Sequence, residues 1–190
     1  MMKNLKFLLF LFIIPLVLSC NPDEEVTTTP VTIPMTFSCN LDGQNYSFSG
    51  NYDVTASNNG YSTGAIGGGM LNIVLKQAYV GGITPFGVTI SLLMDSPQTG
   101  TFFVDSLSTA SNTLSVVKMV NTNLLDPNNV TAGSLFGGGV TINITEFGTN
   151  SYQNNPENPG RVKGNFQGIV QEPDGTEHTI SGSFDSVRQI

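Results

Sequence analysis

Arg161-Val162-Lys163-Gly164-Asn165-Phe166-Gln167-Gly168-Ile169-Val170-Gln171, the turn Glu172-Pro173-Asp174-Gly175, and the run from Glu177 to Phe184 form the stretch that decides the fold. Val162, Phe166 and Val170 alternate with polar residues, as do Ile180 and Phe184. A period of two sends alternate side chains to opposite faces of a sheet, and Pro-Asp-Gly supplies turn chemistry between the two runs. The stretch therefore predicts an antiparallel hairpin with one apolar face.

The same period recurs upstream. Val140, Ile142 and Ile144 face one way and Thr141, Asn143 and Thr145 the other. Leu71, Ile73 and Leu75 share a face in Met70–Lys76, and Val88, Ile90 and Leu92 share one in Phe86–Leu93. Met35–Cys39 and Tyr46–Ser49 flank a hairpin turn at Asp42-Gly43-Gln44. Thr101–Val104 and Leu114–Val120 read as two further strands, Tyr52–Gly69 as a looser segment, and Asn121–Gly138 mostly as a long connection. No segment after residue 20 has helical spacing. About nine short strands with turn signals between them predict an all-β fold, an antiparallel β-sandwich or barrel.

The first twenty residues are of another kind. Lys3 and Lys6 precede an apolar run from Phe7 to Leu18, which stops at Ser19-Cys20. Twelve apolar residues fall short of the roughly 20 that cross a bilayer as a helix, so the pattern is that of a cleaved signal peptide. Val17-Leu18-Ser19-Cys20 resembles the lipobox of bacterial lipoproteins, with an aliphatic residue at −3, a small one at −1 and then cysteine. The resemblance implies cleavage between Ser19 and Cys20 and acylation of Cys20 with diacylglycerol and a further chain such as palmitate. Two or three acyl chains hold a protein on a membrane without a spanning helix.

These readings divide the chain into a signal peptide at 1–19, an acidic Thr/Pro tether at 20–33, and one β-domain at 34–190. The tether carries Asp23, Glu24 and Glu25 directly after the cysteine, a pattern similar to the export signal of surface lipoproteins in Bacteroidota. The expected location is the outer membrane, with the domain on the cell surface. From Cys20 onward five basic residues stand against 14 acids, a formal charge of −9. Such a chain has no basic patch to neutralise phosphates, which excludes nucleic acid as an expected partner.

The order of features also resembles an uncharacterised family of Bacteroidota lipoproteins built from a single β-domain. The likeness rests on Phe37, Cys39, Asp42, Gly43 and Tyr46, on Gly100-Thr101-Phe102, and on Gly138, Val140, Ile142, Gly164, Phe166, Gly175, Ile180 and Phe184. These residues are turns and strand cores, so the resemblance implies a fold and no activity.

Candidate chemistry is sparse. Gly60-Tyr61-Ser62-Thr63-Gly64 matches the nucleophile-elbow pattern, but that motif needs a strand–turn–helix, and the following Ala65-Ile66-Gly67-Gly68-Gly69 has no helical pattern. His178 is the single histidine, and Cys39 is the one cysteine besides Cys20. Zinc, copper and haem sites of the usual kinds therefore lack ligands, and no cofactor is expected. The acids Glu172, Asp174 and Glu177 around one turn, and Asp42 with Asn40 around another, do not follow calcium-loop spacing. If Cys20 is acylated, Cys39 has no disulfide partner and reads as a small buried hydrophobe.

Tyr52, Tyr61, Tyr79 and Tyr152 lie in or beside loops, where their rings suit a glycan or protein ligand. Asp105-Ser106-Leu107 and Asp185-Ser186-Val187 resemble the O-glycosylation pattern of Bacteroidota envelope proteins, which makes Ser106 and Ser186 candidate acceptors. The leading expectation is a non-enzymatic, lipid-anchored envelope protein with a binding or structural role. The alternative is an extracellular hydrolase acting on envelope or environmental polymer.

Overall fold

Residues 33–52, 60–63, 69–76, 85–108, 112–123, 126–152 and 154–188 are described by a computed structural model, and among them the chain forms strands and no helix. In chain order these are β1 (Ile33–Leu41), β2 (Gln44–Tyr52), β3 (Gly60–Thr63), β4 (Gly69–Lys76), β5 (Phe86–Met94), β6 (Gly100–Asp105), β7 (Thr113–Lys118), β8 (Val130–Phe147), β9 (Arg161–Gln171) and β10 (Glu177–Val187). The signal segment and nearly all of the tether lie outside the described residues. All pairings are antiparallel, in the order β2-β1-β10-β9-β8-β7-β5-β4-β3, with β6 also paired to β8.

The fold is all-β, as the alternation predicts, with ten strands where about nine were expected. One strand is added, and one expected strand starts earlier. β3 lies inside the segment read as loose. β8 begins at Val130, well inside the stretch read as a connection. Its early apolar residues, Val130 and Ala132, are few and small, and an excursion at 134–137 breaks the alternation before Val140.

β8 is the longest strand, with 18 residues, and it serves two neighbours along one edge. Its start pairs with β7, from Lys118 opposite Val130 to Ser115 opposite Gly133. Its later part pairs with β6, from Asp105 opposite Gly139 to Gly100 opposite Ile144. β9 runs along the other edge from Gly133 to Phe147, with register shifts between Gly133 and Gly138 and between Ile144 and Glu146. Ser134 is fully buried in that excursion, and its hydroxyl accepts the Leu114 N–H at 3.2 Å. That bond satisfies a backbone donor where β7 diverges from β8, which matters because a buried donor without a partner is costly.

The sheet curls over its apolar face. In hydrogen-bonded order β2 and β5 are six strands apart, about 29 Å in a flat sheet at the usual strand spacing. Yet Tyr46 of β2 stacks on Phe86 of β5 with ring centroids 3.9 Å apart, and Phe37 of β1 lies 6.2 Å from the same ring. One core cluster consequently runs from Phe37 and Leu41 through Ile180, Phe166, Val140 and Leu114 to Val88 and Leu71.

The closing hairpin contributes a reciprocal fit. Gly164 lies opposite Phe184, and Phe166 lies opposite Gly182. Each phenyl ring covers the glycine across from it: a methyl built on Gly182 would come within 2.5 Å of Phe166 and 2.3 Å of the Ser38 carbonyl. A smaller cluster of Ile33 and Val187, with Met35 and Tyr152 against it, fastens the entry of the chain into the domain. Beside it Arg161 bonds Asp185 at 2.7 Å and the Pro34 carbonyl at 2.7 Å, and Arg188 bonds the carbonyls of Gly148 and Thr149.

Gly182→Ala forces that methyl against backbone and ring, so it should cost about 1–3 kcal/mol, as overpacking does. Urea unfolding followed by circular dichroism measures it; an unchanged midpoint would show that β10 shifts freely.

Candidate functional site

The two-residue turn between β1 and β2 is Asp42-Gly43, with φ of 51° and 84°. Two successive left-handed residues make the hairpin turn whose twist matches its strands, and Asp and Gly are the residues that adopt it at least cost. The turn places Asp42 against β10. Its N–H donates to the Thr179 carbonyl at 3.0 Å, and its Oδ1 accepts the Thr179 N–H at 2.8 Å. The carboxylate thus extends the β1–β10 ladder one step beyond Leu41 opposite Ile180.

His178 alternates with Thr179 and turns its ring to the inner side of the sheet, where it is 9% exposed. Its Nδ1 lies 2.7 Å from Asp42 Oδ2 and its Nε2 lies 2.9 Å from Glu172 Oε1. Glu172 belongs to the β9–β10 turn, closed by Gly175 N–H to the Glu172 carbonyl and Glu172 N–H to the Thr176 carbonyl. One imidazole therefore bridges two hairpin turns that neighbour each other because the first and last strands of the domain are paired.

The electrostatics follow from the partners. A carboxylate accepts hydrogen bonds, so bonding two of them requires both ring nitrogens to donate, which is the imidazolium. Burial works against the charge, but the hydrogen bonds and charges of Asp42 and Glu172 outweigh it and hold the His178 pKa above its usual value. Asp42 is held below the ordinary carboxylate range: its partial burial opposes this, and the bonds from His178 and Thr179 prevail. Asp174 adds negative charge nearby and accepts the Thr176 N–H, while Glu177 accepts a bond from Gln171.

This arrangement ties the β1–β2 and β9–β10 turns together. A general base needs a free lone pair within reach of the substrate proton, and both His178 nitrogens are engaged. Ser62, in the segment that matches the nucleophile-elbow pattern, has its backbone in β3 and its side chain outside the described residues, as does Tyr61; Gly64 lies outside them altogether. Among the described residues no group of three histidine, cysteine or acidic side chains is arranged to hold a metal ion.

Cys20 and Ser19 lie outside the described residues, as does Tyr79; the Tyr52 side chain does too. Tyr152 packs half-buried against Ile33 and Val187. Cys39 is buried and its thiol is pushed up to about 12 by desolvation, an inert packing group. The two Asp-Ser-aliphatic segments differ sharply. Ser106 is exposed on the turn after β6, where Asp105 Oδ1 accepts the N–H groups of Leu107 and Ser108. Ser186 is 1% exposed and its hydroxyl faces Met35 Sδ at 3.6 Å, so in the folded domain it is closed to a transferase.

Sequence reasoning missed the clamp. Asp42, Glu172 and Asp174 sit in turns, and nothing local marks which turns become neighbours. Sequence reasoning also missed an apolar outer surface. Phe103, Leu107, Leu135, Phe136 and Ile169 are 61, 92, 48, 51 and 37% exposed. Strand alternation places Phe103 and Ile169 on the outward face, but it does not reveal that they flank Gly139 between them.

The clamp gives a pH dependence whose sign is fixed. A histidine with a raised folded pKa adds stability that is full below its unfolded value, about 6.5, and is lost as pH rises through the folded value. Asp42, depressed in the fold, adds stability present above about 3.9 and lost on acidification through its lower folded value. The clamp therefore contributes most between about pH 4 and 6.5. Urea midpoints should fall from pH 6 to pH 9, and His178→Gln should flatten that slope; an equal slope in both chains would show that His178 does not carry it.

Comparison of the chain with protein-family models, with curated proteins and with solved structures finds no match.

Proposed function

We propose that this chain is a lipid-anchored envelope protein of the outer membrane, similar to the single-domain Bacteroidota lipoproteins, whose β-domain has a non-enzymatic binding role at the cell surface. The observation that carries the reading is the sequence Val17-Leu18-Ser19-Cys20 at the end of a short apolar run. It is followed after twelve intervening residues by the first strand residue, Ile33. That interval is acidic and rich in threonine, and extended chain of that length reaches at most about 45 Å. The domain then enters its fold at the end where Ile33, Val187 and Tyr152 pack together. The turns that hold Asp42, Glu172 and His178 lie at the other ends of β1, β9 and β10.

Two features support binding over catalysis. The sole histidine is engaged at both nitrogens. Five large apolar side chains stand exposed on β6, β8, β9 and the turn after β6, and exposed apolar surface of that kind marks interaction sites. Ser106, on the exposed turn beside them, is the one candidate glycan acceptor retained.

Metabolic labelling with palmitate should mark the wild-type chain in its native type of host, and Cys20→Ala should abolish the label and move the protein out of the membrane fraction. Unchanged fractionation in Cys20→Ala would sink the anchor. Intact mass of the mature chain reads the modification: an increment beyond lipid that disappears in Ser106→Ala is expected, and a mass equal to polypeptide plus lipid would remove the glycan.

A further inference from the structure

β6 is an outer strand of an unusual kind. Among the described residues it pairs on one side only, with β8. The Asp105 N–H donates to Ser108 Oγ at 3.0 Å and so points away from β8. Backbone donors alternate along an antiparallel strand, which places the N–H groups of Thr101 and Phe103 on that same free edge. Natural sheets blunt such edges with lysine, proline, bulges or very short strands. β3 is only four residues long, and β2 is rich in asparagine, glutamine and serine. β6 reads Gly-Thr-Phe-Phe-Val-Asp, with neither lysine nor proline.

The surface beside this edge has a distinct chemistry. The Phe103 ring lies over Gly139, where a methyl would come within 2.7 Å of it. Gly139 pairs with Asp105 on one side and with Ile169 on the other. Gly138 lies beside the Ile169 side chain, Gln171 covers Gly137, and Leu135 and Phe136 precede them on β8. The charges bordering this apolar strip are acids: Asp105 on β6, Glu177 bonded to Gln171, and Asp174 in the turn. The cations Arg161, Lys163 and Arg188 are at the opposite end of β9 and β10, bonded to Asp185, Glu146 and backbone carbonyls. Lys118 pairs with Val130 at the very start of β8.

We propose that the free edge of β6 accepts an extended polypeptide segment, apolar and basic in composition, as an added strand beside Phe103. Main-chain bonds to Thr101 and Phe103 supply the attachment, the Phe103 and Leu107 side chains receive apolar groups, and the acidic border selects lysine or arginine. A second copy of the chain is disfavoured by charge, since it would bring one acidic border of a net-negative chain against another.

The inference rests on the domain being a binding module and is independent of the lipid anchor. The probe is a fluorescent octapeptide of alternating valine and lysine, titrated against the full chain in detergent. It should bind saturably, with affinity falling as salt rises. An alternating valine–glutamate peptide, and the valine–lysine peptide with a central proline, should each bind roughly tenfold more weakly or worse. Phe103→Asp, Leu107→Asp and Thr101→Pro, all at exposed positions, should each weaken binding while leaving the urea midpoint near wild type. Amide exchange at Thr101 and Phe103 should slow when the peptide binds.

Equal affinity for the glutamate peptide, indifference to all three substitutions, or unchanged exchange along β6 would overturn the proposal. A chain that dimerises through β6 and excludes the peptide would overturn it in favour of self-pairing. Loss of peptide binding with palmitate labelling intact removes the edge site alone; loss of labelling with peptide binding intact removes the anchor alone.

Discussion

The structure depends on one strand having two sets of neighbours on the same edge. β8 bonds first to β7 and then to β6, and the excursion at 134–137 is where one partner is exchanged for the other. A flat sheet would leave the apolar faces of β4 and β5 far from those of β1 and β10. The change of partner within β8, with the usual twist of strands, lets the two ends of the strand order face each other across Phe37, Tyr46 and Phe86. Ser134 makes the change tolerable by bonding a backbone donor that would otherwise be stranded in the interior.

The same constraint explains where glycine is used. Gly164 and Gly182 lie opposite Phe184 and Phe166, so two large rings fit into a crowded sheet by covering glycines rather than clashing with side chains. Gly138, with φ of 80°, sits where a side chain would strike the Ile169 carbonyl. Its left-handed backbone and the close approach of β9 both require a residue without a Cβ.

Pairing the first strand with the last has an electrostatic consequence. It brings the β1–β2 and β9–β10 turns together, and their acids would repel one another without a cation between them. His178 supplies that cation from within the sheet. The entry end carries Arg161, Lys163 and Arg188, each bonded to acids or carbonyls. The domain is thus polarised along β1, β9 and β10, with paired cations at the Ile33–Val187 end and acids around the opposite turns.

Much of this was legible in the alternation of residues. The β1–β2 and β9–β10 hairpins, the buried faces of β4 and β5, and the inert burial of Cys39 all follow from period two and turn chemistry, which are local properties. β3 and the start of β8 were not legible, because short or glycine-broken strands carry too few apolar residues to show a period. The sequence by itself determined the strand faces and the hairpin turn at Asp42-Gly43. Only the tertiary structure decided that Asp42, Glu172 and His178 meet, that Ser186 is buried while Ser106 is exposed, and that β6, among the described residues, pairs only with β8. Those outcomes depend on which strands become neighbours, and neighbours more than 130 residues apart, as Asp42 and His178 are, are chosen by burial of the whole apolar face rather than by any local pattern.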